Sequence, residues 1–213
     1  MVNNKIDFDV FAEIIDIGAK MEENKLVNSA EGNISIKRDG LLYITPSRHS
    51  KKTLTNDVFV VIDEDGNQIW GSMKPSSETP MHRAAYGIHE GTNAVIHCHA
   101  PYLTAYAICN MPLKFDCHPE LICHLKDIPC APYGRPGTED ILNKAREALK
   151  DRYLCLLGNH GVLAVASSLE KCYHRVETAE SVARLMTLVK QIGTPVPLPE
   201  SELERYSHIQ LVL

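Results

Sequence analysis

Two histidines two residues apart are the residues of this chain whose types and spacing point most directly to chemistry. His97 and His99 lie in the run AVIHCHAP at residues 94–101, where apolar and β-branched residues predict a buried strand. Side chains at i and i+2 of a strand leave the same face of the sheet, so the two imidazoles would be side by side. This arrangement suits metal chelation. Two ordinary histidines near a strand end are the alternative, and only further ligands elsewhere in the chain can decide.

A third histidine, His160, stands in the segment GNHG at residues 158–161, between strands predicted over 153–157 and 162–166. Asn, Gly and His all tolerate turn geometry, so the segment is also typical of an ordinary turn.

Hydroxyl groups and a carboxylate precede a helix that we predict to run through about residue 90. Ser76 and Ser77 suit the cap of that helix, followed by Glu78, and Pro80 is tolerated in the first turn. Two interpretations stay open: capping with dipole complementation, or an anion site for a phosphate at a helix N-terminus.

The order of predicted strands and helices along the chain predicts one α/β domain over residues 1–213 with a mixed, largely antiparallel central sheet. Strands are expected after the polar loop ending near 33, over 41–44, in a hairpin of 57–62 with 68–71, and over 128–132. Helices are expected over 8–23, 102–109, 139–150 and 169–192, with a less regular segment over 113–127 and a proline-rich tail from 194 to a polar end.

Composition excludes several classes of protein. The 213 residues are 44% hydrophobic and 23% charged, with a net charge of −5, which gives no overall field to attract nucleic acid. No apolar run reaches the 18 or so residues of a membrane span, and residues 1–9 do not suit a signal peptide. The seven cysteines form no Cys-x-x-Cys pair, which favours reduced thiols in a cytoplasmic enzyme over disulfides or a cysteine zinc site.

Taken together, six short blocks resemble the class II aldolase/adducin family, and within it the branch that cleaves L-fuculose 1-phosphate. They occur in the family's order, and the resemblance spans roughly residues 8 to 198. The blocks are EGNIS at 31–35, TPS at 45–47, PSSE at 75–78, HCHA at 97–100, IPCAPY at 128–133 and GNHGV at 158–162.

The resemblance implies one divalent metal per subunit, usually zinc, with Mn²⁺ or Co²⁺ as alternatives. Its ligands would be His97, His99 and His160, with Glu78 as fourth ligand or as the catalytic base. Three neutral imidazoles and one carboxylate agree with a tetrahedral zinc set. The resemblance also implies a sheet covered by helices and a cyclic homotetramer with active sites at subunit interfaces.

A phosphate pocket is implied at a second group of positions. Its side chains and backbone amides would come from Asn33, Ser47, Ser76, Ser77, Gly32 and Arg48. The family usually has glycine at the position of Arg48. The arginine either adds a charge-assisted contact to a phosphate or carboxylate, or is a solvated loop residue.

The implied reaction is retro-aldol cleavage of a ketose 1-phosphate into dihydroxyacetone phosphate and a short aldehyde, with Glu78 moving the proton at carbon. The family handles the aldehyde-side proton with a tyrosine from a neighbouring subunit, where this chain has His118. Histidine can transfer the same proton. Tyr206 is a candidate for a second, C-terminal tyrosine.

Three other functions stay open on the sequence. A sugar-phosphate 4-epimerase uses the same chemistry. The epimerase branch carries aspartate at the position of Glu78, which argues for cleavage, whereas residues 79–82 look like the epimerase version of the motif. A sugar-acid phosphate decarboxylase would use Arg48 or His118 near a carboxylate. A non-catalytic adducin-like interaction domain would need no complete ligand set, yet all four positions are filled.

Overall fold

An eight-stranded sheet forms the centre of the computed structural model, which describes residues 6–29 and 31–209. The strand order is β4-β3-β2-β1-β5-β8-β7-β6, and each neighbouring pair is antiparallel except β6 with β7. This confirms the mixed, largely antiparallel sheet. The strands are β1 Asn33–Arg38, β2 Leu41–Ile44, β3 Val60–Ile62, β4 Gln68–Trp70, β5 Ala94–Cys98, β6 Cys130–Ala131, β7 Leu154–Leu157 and β8 Gly161–Ala166.

Seven α-helices surround this sheet in the described part of the chain. They are α1 Phe8–Glu23, α2 Thr79–Ala85, α3 Pro101–Ile108, α4 Pro119–Leu125, α5 Asp140–Leu149, α6 Leu169–Ile192 and α7 Glu200–Ser207. Short 3₁₀ turns cover Lys51–Thr53 and Asn56–Val58. None of the described helices has the length and apolar character needed to cross a membrane.

Strand alternation divides the interior into two main layers. On one face Ile34, Ile96 and Cys98 share a core with residues of α1, α3 and α6, among them Phe11, Leu103 and Cys172. On the other face Val95 and Val165 pack with residues of α2 and α5, among them Met81 and Ile141. Because His97 is two residues beyond Val95, its side chain faces the α2 and α5 layer.

The predicted bounds of α1 and α6 are confirmed, and β2 also has its predicted range. Helices α1 and α6 bury apolar residues at helical spacing, and β2 is a run of four buried apolar residues, patterns that can be recognised in the local sequence.

Three elements differ from expectation. Helix α2 ends at Ala85 rather than near residue 90. The segment 113–127, predicted to be less regular, contains α4. The tail contains α7, whose few apolar side chains, Leu203 and Tyr206, lie against the main core. Helices α4 and α7 are seven and eight residues long, too short to be stable without the packing that tertiary structure provides.

Candidate metal and substrate site

Three imidazoles converge at the end of β5. His97 lies within β5, His99 is one residue beyond its last residue, and His160 directly precedes β8, the antiparallel neighbour of β5. The ring centroids are separated by 5.0 Å for His97 and His99, 4.6 Å for His97 and His160, and 5.0 Å for His99 and His160. One ligand atom from each residue lies within 4.8 Å of the others. The structure therefore brings the three predicted histidines together.

The His97 ring has a fixed orientation. Its Nδ1 lies 2.9 Å from the carbonyl oxygen of Val162 and must donate to it, because that oxygen can only accept. This leaves Nε2 as the atom with a free lone pair, the tautomer control that metal-ligating histidines show. Burial, together with the neighbouring histidines, lowers the pKa of His97 well below its usual value. Burial also lowers the pKa of His160 to about 4, so both rings are neutral at pH 7.

His99 has an acidic neighbour that sequence reasoning did not assign. Its Nδ1 lies 3.6 Å from Oε2 of Glu31, while its Nε2 is buried without a hydrogen bond among the described residues. Glu31 belongs to the block EGNIS, and its position in this motif is the sequence feature from which it could have been identified.

The turn that carries His160 is attached to the end of α3. Asn159 is in the left-handed region with φ of +57°, its side-chain amide donates to the carbonyl of Ile108 at 3.3 Å, and its Oδ1 accepts from Asn110 at 2.9 Å. A Cβ at Gly161 would lie 2.5 Å from the carbonyl oxygen of Cys98 and 2.6 Å from the His99 ring. His160 is therefore carried by a turn, as the first interpretation predicts, and the same turn places it among the three histidines.

Glu78 lies beside the histidines with one oxygen unsatisfied. Oε2 is 3.9 Å from Nε2 of His97, is buried, and has no hydrogen-bond partner among the described residues. Oε1 accepts the backbone N–H of Gly137 at 3.2 Å. Burial raises the pKa of Glu78, and the Gly137 amide partly opposes that shift. Gly137 was not identified from the sequence because its contribution is a backbone amide.

The residues present fit a divalent cation. Buried polar atoms without a partner in the described structure include Glu78 Oε2, His99 Nε2 and His160 Nδ1. Unsatisfied buried polar atoms are costly and rare, and neutral imidazole with carboxylate is the donor set that binds divalent metals such as zinc. The geometric group comprises the three histidines, and Glu78 stands next to it.

Two serine loops lie next to each other near this centre. Pro46 and Pro75 form an antiparallel bridge, and the N–H of Ser47 donates to the carbonyl of Lys74 at 3.1 Å. Asn33 is the cross-strand partner of His97, so their side chains lie on the same face of the sheet. Gly32 is held against the carbonyl of His97, where a Cβ would approach to 3.1 Å.

The predicted capping by Ser76 and Ser77 is wrong in detail. Helix α2 begins at Thr79, and its N-cap is Glu78, which makes no side-chain capping bond. Ser76 is buried and its hydroxyl accepts the N–H of Glu78 at 3.2 Å, whereas Ser77 is exposed. Ser76 thus orders the residue that carries the carboxylate.

Arg48 is in the left-handed region with φ of +54°. Glycine adopts this conformation without the Cβ clash that other residues meet. The physical reason for the family's glycine at this position is therefore visible in the backbone.

His118 and Tyr206 form no hydrogen bond or ion pair with the three histidines in the described structure. His118 is the N-cap residue of α4 and has a buried Nδ1 without a partner there. Tyr206 is on α7 and packs against the main core. The predicted role of His118 depends on a second copy of the chain, and the roles of His118 and Tyr206 both stay predictions.

Comparison with known proteins gives a consistent result. The family model described as "Class II Aldolase and Adducin N-terminal domain" matches residues 12–187. A 5-deoxy-D-ribulose 1-phosphate aldolase from Bacillus thuringiensis serovar kurstaki is 35% identical over 195 residues, which is 90% of this chain and 91% of that protein. An L-fuculose phosphate aldolase from Escherichia coli strain K12 is 35% identical over 191 residues, 89% of this chain and 88% of the relative.

A solved structure is similar over nearly the whole chain. It is described as an L-fuculose 1-phosphate aldolase, with a TM-score of 0.87 and 34% identity, covering 96% of this chain and 97% of its own.

Proposed function

Because the chain belongs to the class II aldolase and adducin family, we propose that it is a metal-dependent aldehyde-lyase. The reaction is cleavage of a ketose 1-phosphate into dihydroxyacetone phosphate and a short aldehyde. The observation that carries this proposal is the group of three histidines, with ligand atoms within 4.8 Å of one another, beside the buried and unpartnered Oε2 of Glu78.

The metal site of the proposal consists of His97, His99 and His160. Zinc is the ion we propose, since neutral imidazoles with an adjacent carboxylate suit it, and Mn²⁺ or Co²⁺ are the alternatives to test. When bound, the ion would supply Lewis-acid stabilisation of the negative charge that develops on the substrate oxygens as the carbon–carbon bond breaks.

Glu78 is the residue we propose to move the proton at carbon. In the cleavage direction its carboxyl group gives a proton to the carbon that has lost the aldehyde, and in the condensation direction its carboxylate removes that proton. A raised pKa suits a group that must both hold and release a proton near neutrality. The Gly137 amide fixes Oε1, which leaves Oε2 to act.

The proton of the aldehyde-side hydroxyl needs a second acceptor. We propose His118 from a neighbouring subunit of a homotetramer, with Tyr206 as a further candidate at the same interface. The assembly and both roles rest on the family resemblance. The cytoplasmic location expected from the cysteine content also stays a prediction.

We propose that the phosphate group of the substrate binds in a pocket next to the metal site. Its proposed contacts are the side chains of Asn33, Ser47, Ser76 and Ser77, with the backbone amides of Gly32 and Arg48. Support comes from the bridge that places the two serine loops together and from the pairing of Asn33 with His97.

The similar solved structure and one relative name the first substrates to try, L-fuculose 1-phosphate and 5-deoxy-D-ribulose 1-phosphate. The test incubates the zinc-loaded protein with both compounds, with L-ribulose 5-phosphate and with a phosphorylated sugar acid. We expect dihydroxyacetone phosphate from a ketose 1-phosphate. An epimer as sole product would show that the protein is an epimerase, and carbon dioxide as sole product that it is a decarboxylase. No reaction with any compound would count against an enzymatic role.

A further inference from the structure

A chain of four polar side chains, three of them buried and Tyr86 partly buried, connects β1 to α2 beside the metal site. Nε2 of His82 lies 2.5 Å from Oδ1 of Asn33, and Nδ1 of His82 lies 2.7 Å from the hydroxyl of Ser35. The same hydroxyl lies 2.6 Å from the hydroxyl of Tyr86. His82 has no exposed surface at all, and the metal ligands do not include it.

The direction of each hydrogen bond in this chain follows from chemistry. Oδ1 of Asn33 can only accept, so Nε2 of His82 carries the proton and donates. Burial lowers the pKa of His82 to about 3, so the ring is neutral and Nδ1 must accept. Ser35 therefore donates its single proton to His82, and Tyr86 donates to Ser35.

The contact between Oδ1 of Asn33 and His82 also gives the orientation of the amide. With Oδ1 held by His82, the NH₂ group faces away from the sealed side of the network. Asn33 keeps 7% of its surface exposed while His82 keeps none, so the network is closed at His82 and the open end of the chain of polar groups is at Asn33. The strand pairing of Asn33 with His97 places that side chain at the proposed substrate site.

We propose that His82 is a positioning residue that locks the Asn33 amide so that its NH₂ group is presented to the phosphate of the substrate. This inference rests on the proposed function. An Asn33 amide turned by 180° would present its oxygen, which repels an anion. His82 opposes that turn, because its Nε2–H would then face the NH₂ group of Asn33, donor against donor, while Ser35 as the donor to Nδ1 favours this tautomer.

A purely structural role is the alternative, in which the network only ties β1 to α2. Both roles predict a loss of stability when His82 is changed, so stability cannot separate them. Phosphate affinity can, because only the positioning role couples His82 to the anion through Asn33.

The test compares His82→Leu, which keeps bulk without a donor, with His82→Gln, whose side-chain NH₂ can reach the position of Nε2. For each protein the metal content, the dissociation constant for inorganic phosphate, and KM and kcat are measured. We expect His82→Leu to weaken phosphate binding and raise KM by about tenfold, the loss of one hydrogen bond to a charged group. We expect kcat to stay within about threefold of the wild type, and His82→Gln to recover most of the affinity.

A double-mutant cycle with Asn33→Ala completes the test. If His82 acts through Asn33, His82→Leu adds no further loss of phosphate affinity in the Asn33→Ala protein. Equal phosphate affinity in wild type and His82→Leu, or additive losses in the cycle, would overturn the positioning role. Wild-type protein that binds no phosphate would instead contradict the proposed function.

Ser35→Ala covers the case in which His82→Leu does not fold. It keeps both His82 and Asn33 but removes the hydroxyl that donates to Nδ1, so the His82 ring loses the partner that orients it. A weaker phosphate affinity with unchanged metal content supports the positioning role, whereas unchanged affinity contradicts it.

Discussion

Burial shifts the pKa values of the site residues in different directions. His97 and His160 are kept neutral by burial, which is the form that binds a metal. Glu78 is also buried, but its raised pKa favours a group that exchanges a proton. These opposite shifts support the proposed roles of the histidines as metal ligands and of Glu78 as the base.

Replacement of Glu78 by glutamine tests the proton role directly. Glu78→Gln keeps the shape and an oxygen for the Gly137 amide but cannot transfer a proton. We expect kcat to fall by about 10²- to 10⁴-fold, with zinc still bound because the three imidazoles remain. Metal analysis and steady-state kinetics on the same preparation measure both, and intact turnover would show that another residue is the base.

Arg48 allows a test of backbone strain separate from charge. A non-glycine residue at φ of +54° costs about 1–2 kcal/mol of stability. Replacement by glycine recovers only part of this, because glycine has more conformational entropy in the unfolded state. We expect Arg48→Gly to raise the free energy of unfolding by up to about 1 kcal/mol, measured by urea denaturation. Arg48→Ala is the control, because it removes the charge and keeps the strain.

The same pair of variants distinguishes the two interpretations of the arginine. An unchanged KM in both proteins identifies a solvated loop residue. A KM that rises equally in both identifies a contact to the substrate anion.

The site residues that the sequence predicts are those whose proposed roles belong to their own side chains. His97, His99 and His160 could be found because their spacing and their blocks are distinctive. Gly137 acts through its backbone amide, and His82 acts through Asn33. Neither role has a local pattern, since each depends on segments that only the folded chain brings together.

At the scale of elements, the antiparallel pairing of β5 with β8 is what assembles the metal ligands. The close approach needs Gly161, whose missing Cβ leaves room for the His99 ring and the Cys98 carbonyl. The pairing of distant strands is invisible to local sequence patterns. The short helices α2, α4 and α7 were harder to predict for a related reason, because their stability comes from packing.

Gly161→Ala is therefore expected to disturb the metal site by displacing the backbone that supports it. The added Cβ would lie under 3 Å from the Cys98 carbonyl oxygen, so backbone must move. We expect a loss of about 1–3 kcal/mol in unfolding free energy and at least tenfold weaker zinc binding.

Gly193→Ala serves as the matched control. A Cβ there meets nothing within 4 Å, and φ of 173° is ordinary extended backbone. Both variants are measured by urea denaturation and zinc titration, and equal behaviour of the two would show that the close approach at Gly161 is unimportant.

Across the whole molecule, the three-layer arrangement buries imidazoles on the α2 and α5 side of the sheet and so makes stability depend on pH. His82, His97 and His160 all have a pKa lowered in the folded state. Such groups contribute stability that is fully present above the unfolded pKa of about 6.5 and is lost as pH falls towards the folded value. Glu78, whose pKa is raised, acts in the opposite sense.

Metal-free protein is therefore expected to lose stability as the pH falls from about 6.5 to 5. For His82 alone, with a folded pKa of about 3, the loss is about 2 kcal/mol over that interval. Urea denaturation at several pH values measures it, and His82→Gln should show a shallower dependence than the wild type. Equal slopes would contradict a neutral, buried His82.

We propose above all that the three histidines hold a divalent metal on which aldol cleavage depends. The most direct measurement is a titration of zinc into chelator-treated protein while dihydroxyacetone phosphate is followed from the preferred ketose 1-phosphate. We predict that activity rises from near zero and saturates at about one zinc per chain, and that His97→Ala shows neither binding nor activity. Full activity in metal-free protein would contradict the account.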